Sequence, residues 1–176
     1  MAIDPDKTFT PIHIAVLTVS DTRTPDTDTS GDILVTRLQD AGHTLAARLI
    51  VKDDAAVLAE QIELWIDNPD IDAIISTGGT GLTGRDVTPE ALSRIEGGRD
   101  IPGFGELFRW LSFKTIGTST VQSRACAIVA RGTYIFALPG SNGAVKDGWD
   151  GILAEQLDSR NRPCNFVELM PRLTEK

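Results

Sequence analysis

The sequence predicts a three-layer α/β fold, a mostly parallel sheet with helices on both faces and an antiparallel edge hairpin. Short β-branched apolar runs alternate with amphipathic stretches, the rhythm of β-α-β units whose crossovers cover both faces of a sheet. The runs IHIAVLTVS and IDAIISTGGTG are too short for helices and read as buried strands. Two late apolar runs are separated only by Arg131 and Gly132, room for a hairpin but not for a crossover helix. At 176 residues the chain can bury one ordinary core. A single domain over residues 1–176 is therefore expected, with 1–11 and 167–176 as flexible or peripheral ends.

The first strand, residues 12–20, breaks at Ser20-Asp21, and the polar TRTPDTDT with Pro25 reads as loop. Thr29 and Asp32 then fit the capping of a helix over residues 33–41, which Gly42 ends. Residues 45–51 form a second strand. Asp53 or Asp54 is the expected N-cap of the next helix, whose buried face is Val57, Leu58, Ile62, Trp65 and Ile66. A third strand runs straight into glycines. Thr88 suits the N-cap of a short helix with Pro89 at its first position, where the missing N–H costs nothing. Residues 125–130 and 133–138 make the hairpin, residues 141–157 the last major helix, and the proline-containing tail reads as irregular.

A net charge of −8 argues against a nucleic-acid partner, because such binders draw affinity from Lys and Arg. No window is apolar enough for a membrane span, and MAIDPDKTFTPIH lacks the pattern of a secretory signal, so a cytoplasmic protein is expected. Cys126 and Cys164 lack metal or disulfide spacing and are expected as reduced thiols. His13 and His43 read as a strand and a turn residue, without the neighbours of a metal or catalytic cluster.

Ligands of open α/β sheets collect beyond the carboxyl ends of the strands. Two loops there have suitable chemistry. Thr77, Gly78, Gly79, Thr80 and Gly81 can bring backbone N–H groups to a phosphate without Cβ interference, though glycines also serve a tight strand exit. Leu138, Pro139, Gly140 and Ser141 end another strand, with Ser141 placed to cap the final helix; an ordinary capped turn has the same pattern. Between them, Asp86 lies outside the expected cap. It is free to hold a hard cation such as magnesium, or is a solvated loop aspartate.

The segments IAVLTVSDTR, DTSGDIL, STGGTGLTGRDVTPEA, PGFGELFRWLSF, GTSTVQSRA, FALPGS and LDSRNRPCNF, in this order over residues 12–166, resemble the molybdopterin adenylyltransferase family, specifically its bacterial B-type branch. The resemblance implies adenylyl transfer from ATP to molybdopterin, with Mg2+ as cofactor and pyrophosphate as by-product. It assigns catalytic roles to Asp53 and Asp86, the latter as metal ligand. It assigns nucleotide contacts to Thr77, Gly78, Gly79, Thr80 and Gly81 and to Leu138, Pro139, Gly140 and Ser141, and molybdopterin contacts to Ser20, Ser123 and Arg124. Lys52 stands where the family often has proline before the second-helix acid. The resemblance also implies a homotrimer or homohexamer and hand-over of product to a molybdenum-insertion protein. A non-catalytic molybdopterin or nucleotide carrier is the alternative. Phe104, Leu107, Phe108, Trp110, Leu111 and Phe113 crowd one segment with more apolar surface than a short helix face hides, as a subunit contact would.

Overall fold

The computed structural model describes residues 3–175. The mostly apolar run after Ile12 becomes β1 (His13–Val19), with every residue after His13 buried. The remaining strands are β2 (Thr44–Val51), β3 (Ala73–Thr77), β4 (Arg99–Asp100), β5 (Cys126–Ala130) and β6 (Thr133–Leu138). They form one sheet in the order β2-β1-β3-β6-β5-β4. The first four in that order are parallel, whereas β5 and β4 run antiparallel to their neighbours. The three-layer α/β expectation holds, with one addition: the two-residue β4 continues the sheet beyond the hairpin. Arg131 and Gly132 both take positive φ, 49° and 100°, which matches the twist a two-residue hairpin turn requires.

Alternation along the strands divides the core. Ile14, Val16, Ile75 and Phe136 face α1 (Thr29–Asp40), then, after α2 (Ala55–Ile66) and α3 (Thr88–Leu92) in the chain, α4 (Pro102–Ile116) and α5 (Asn142–Gly148). Ala15, Leu17, Ile74 and Ile135 face α2 and α3. Burying side chains such as Phe108 and Phe136 contributes about 1.5–3 kcal/mol each.

Several caps differ from expectation. Asp28, not Thr29 with Asp32, is the N-cap of α1, accepting from the Gly31 N–H at 3.0 Å, while Asp32 pairs with Arg48 at 2.7 Å. Of the two candidate caps for α2, Asp54 takes the role, accepting from the Ala56 and Val57 amides at 2.8 and 3.1 Å. The buried face of α2 is Leu58, Ile62 and Ile66; Val57 is 47% exposed and Trp65 half-buried. The last helix is interrupted. A π-helical turn over Trp149–Leu153 separates α5 from α6 (Ala154–Gln156).

Within the described residues, parts of both end segments touch the domain. Buried Asp4 pairs with Arg162, and the tail forms α7 (Phe166–Leu169), where Val167 is buried and Phe166 packs on Tyr134 and Phe136. His43 lies between Phe9 and Trp149, and His13 meets Asp72 at 3.2 Å. Among the described residues no helix is long and apolar enough to cross a membrane.

Candidate functional site

Strand register decides which loops meet. Thr18 lies opposite Thr77, and Thr77 opposite Leu138, so the loops after β1, β3 and β6 leave the sheet side by side. The β2 exit joins them through the Ser20 N–H, which donates to the Val51 carbonyl at 2.8 Å. Both glycine-containing loops therefore share one rim with Asp53 and Asp86.

Glycine is required here for packing as well as for access. A Cβ on Gly78 would fall 2.2 Å from the Val19 carbonyl oxygen, and one on Gly79 would fall 2.4 Å from Thr88 Oγ1; both residues also take positive φ. The Gly78 N–H donates to the Leu138 carbonyl at 2.9 Å, and Thr77 Oγ1 to the Pro139 carbonyl at 3.2 Å, fastening the two loops together. Thr88 is not the N-cap of α3. Val87 holds that position without a side-chain cap, and the fully buried Thr88 instead donates its Oγ1 to the Gly78 carbonyl at 2.9 Å. Ser141 does cap α5, accepting from the Ala144 N–H at 3.2 Å.

The two acids differ in environment. Asp53 is relieved of capping by Asp54 and accepts the Asp21 N–H at 3.0 Å. Burial, then the negative charge of Asp86, raise its pKa above the usual carboxylate value. Burial also acts to raise Asp86, but hydrogen bonds from the Thr83 hydroxyl and N–H at 2.7 and 2.9 Å outweigh it and hold that carboxyl low. Two carboxylates that sense each other across a glycine loop suit a divalent cation. Among the described residues no group of three or more ligating side chains occurs, so water and phosphate oxygens would supply the remaining positions.

The residues expected on the molybdopterin side divide. Arg124 directs its fork into the protein. Nε donates to the Gly81 carbonyl and Nη2 to the Asp86 carbonyl, both at 2.6 Å, while Nη1 pairs with Glu90. The Arg124 N–H adds a bond to the Thr80 carbonyl at 2.8 Å, so this residue braces the loop that carries Asp86. Ser123 lines a cavity of about 260 Å³ together with Thr80, Gly81, Phe108, Pro139 and Ser141. Ser20 does not join it. That hydroxyl accepts from the Thr22 and Arg23 amides and borders a separate hollow of about 610 Å³ with Arg23, Arg48 and Lys52.

Sequence reasoning missed Asp28. Completely buried, it accepts from Thr18 Oγ1 at 2.7 Å and Arg48 at 2.9 Å. Burial opposes its charge, but the Arg48, Thr18 and Gly31 hydrogen bonds prevail and lower its pKa. The available signal was an aspartate three residues before Gly31, the spacing of an N-cap. Of the two thiols, burial pushes Cys126 up to about 11, and Cys164 is exposed.

This arrangement matches known proteins along nearly its whole length. Residues 15–159 match the profile of the probable molybdopterin binding domain. The chain is 50% identical over 158 residues to molybdenum cofactor biosynthesis protein B of Escherichia coli (strain K12), covering 90% of this chain and 92% of that protein. Identity to the protein of the same name from Bacillus subtilis (strain 168) is 42% over 147 residues, 83% of this chain and 86% of the other. A crystal structure of a molybdenum cofactor biosynthesis protein B superimposes with a TM-score of 0.85 at 34% identity, covering 97% of this chain and all of the other. The chain belongs to the family of molybdenum cofactor biosynthesis proteins built on the probable molybdopterin binding domain.

Proposed function

We propose that the protein transfers the adenylyl group of ATP to molybdopterin and releases pyrophosphate. Its relatives support a role in molybdenum cofactor biosynthesis. The observation that carries the specific reaction is the pairing of Asp53 and Asp86 beside the glycine loop, close enough that the charge of Asp86 raises the pKa of Asp53. These two carboxylates would hold magnesium, which when bound neutralises triphosphate charge and stabilises the charge developing at the transferred phosphorus.

The chain's own groups orient the reactants. Among the described residues no backbone hydrogen bond uses the Gly79 or Thr80 N–H, which leaves both for phosphate oxygens. Thr88 and Leu138 fix the peptides before them, and Arg124 and Thr83 fix the approach of Asp86. A terminal phosphate oxygen of molybdopterin attacks the α-phosphorus of ATP. The bond to the β-phosphate bridging oxygen breaks, and its electrons leave with pyrophosphate. No side-chain nucleophile is needed, since positioning and charge stabilisation suffice for such transfers.

One observation favours a second reading, a carrier that binds without turnover. Thr83 places both its donors on a single oxygen of Asp86, as it would for a purely structural brace. Pyrophosphate release separates the two. It should require molybdopterin, ATP and magnesium together; saturable binding of both substrates without release would select the carrier.

The exposed apolar side of α4 supports assembly into a trimer or a pair of trimers. Phe104 and Phe108 enter the core, whereas Leu107, Trp110, Phe113 and Ile116 are 41%, 59%, 55% and 53% exposed.

A further inference from the structure

The cavity beside the glycine loop has a chemistry of its own. Among the described residues no lysine or arginine lines it. Phe108, Ile116, Pro139 and Ala144 supply apolar walls; serine and threonine hydroxyls and Gln122 add neutral polar groups, and Asp147 is the one charged residue among the described lining. Thr80 is 2% exposed, and its Oγ1 has no hydrogen-bond partner among the described residues, so a ligand atom would satisfy it. Asp147, on α5, makes no hydrogen bond or ion pair among the described residues.

A carboxylate in a mainly apolar slot whose other polar groups are neutral repels phosphate and favours a flat neutral ring with adjacent N–H donors. The 2-amino-4-oxopyrimidine edge offers such a pair: a ring N–H and an exocyclic amino group lie parallel and match the two carboxylate oxygens. Pterins and guanine share this edge, and adenine lacks it. At about 260 Å³ the cavity is smaller than the roughly 300–1,000 Å³ of sites that enclose a whole drug-sized ligand. It takes one bicyclic ring, with the tail leaving past Gly81, where a Cβ would lie 2.7 Å from Asp86 Oδ2.

We propose that Asp147 is the specificity residue of this cavity and reads the 2-amino-4-oxopyrimidine edge of a bound ring, with Thr80 Oγ1 hydrogen-bonded to the same ring. The assignment rests on the reading of this rim as the molybdopterin and nucleotide site.

Fluorescence titration with neopterin tests it, beside the lumazine of the same side chain, in which a 2-oxo group replaces the 2-amino group. The wild type should prefer neopterin by roughly 10- to 100-fold, the range for paired hydrogen bonds to a charge. Asp147→Asn should lose most of that preference while keeping its affinity for magnesium-ATP, which also shows that it is folded. Thr80→Val, nearly isosteric, should weaken neopterin binding without restoring lumazine binding. GMP competing with neopterin in an Asp147-dependent manner assigns the cavity to the guanine source of the same edge, and failure of GMP to compete assigns it to pterins. Equal affinity for neopterin and lumazine, unchanged discrimination in Asp147→Asn, or displacement of neopterin by AMP overturns the proposal. Absent pyrophosphate release with discrimination intact would instead count against adenylyl transfer alone.

Discussion

Replacing Arg124 by lysine keeps a positive charge and removes the fork that braces the Asp86 loop. The guanidinium holds the Gly81 carbonyl, the Asp86 carbonyl and the Glu90 carboxylate; one ammonium can hold one of them. Two contacts are lost. Hydrogen bonds to a charged group contribute about 1.5–3 kcal/mol when buried, but water partly replaces them around a side chain that is 30% exposed, leaving a loss of about 2 kcal/mol. The amides to watch are those of Gly81, Thr83 and Asp86, which the loop's own acceptors protect. At about 1.4 kcal/mol per decade, their hydrogen exchange should accelerate roughly 30-fold in Arg124→Lys. Because the opening is local, the melting temperature should fall by less than the roughly 4–8 °C that a global loss of this size would bring. Unchanged exchange at all three amides would refute the bracing role, and a substitution that unfolds the whole domain would refute its local character.

Asp53→Asn should abolish adenylyl transfer yet raise the melting temperature near neutral pH, because it removes a carboxylate disfavoured by burial and by Asp86. The folded pKa of Asp53 lies above its unfolded value, so the penalty exists at higher pH and the gain should vanish on acidification below the unfolded value; a gain that persists there would contradict the cause given. Gly78→Ala should cost about 2–4 kcal/mol in urea unfolding, since its Cβ meets the Val19 carbonyl at φ +106°, and a loss below about 0.5 kcal/mol would remove the steric argument. His43 is depressed by burial, with Asp158 opposing, so its contribution to stability is full above the unfolded value and lost as pH falls through the folded one. The urea midpoint should therefore fall between about pH 7.5 and 5.5 by more in the wild type than in His43→Gln. Light scattering should give a trimer or hexamer mass and folded smaller species for Trp110→Glu; a monomeric wild type would sink the assembly reading.

The parts legible from sequence are those whose cause is local. Short β-branched, mostly apolar runs located β1 and β3, and Arg131-Gly132 located the β5–β6 turn, because buried strands and two-residue turns restrict their own residues. The glycine loops were legible as strand exits. Their mutual fastening was not, since it depends on β3 lying beside β6. Between Thr27 and Asp32 several side chains offer capping oxygens, and what selected Asp28 was Arg48 arriving from β2, twenty residues away. Thr88 has cap chemistry too, but the glycine-loop carbonyl is the partner that burial provides. The β4 strand, only Arg99 and Asp100, carries no apolar pattern and pairs because β5 has a free edge. The family resemblance assigns Arg124 a molybdopterin contact, and only the fold shows carbonyls occupying its fork.

The proposed reaction moves the α-phosphoryl of ATP, with its adenosine, onto molybdopterin. Single-turnover incubation with molybdopterin, magnesium and ATP labelled at the α- or γ-phosphate tests this most directly. α-Label should enter the pterin product and γ-label should leave as pyrophosphate, and Asp86→Asn should retain its fold but transfer no label. Label that remains in intact ATP while molybdopterin is bound, or γ-label found on the pterin, would contradict it.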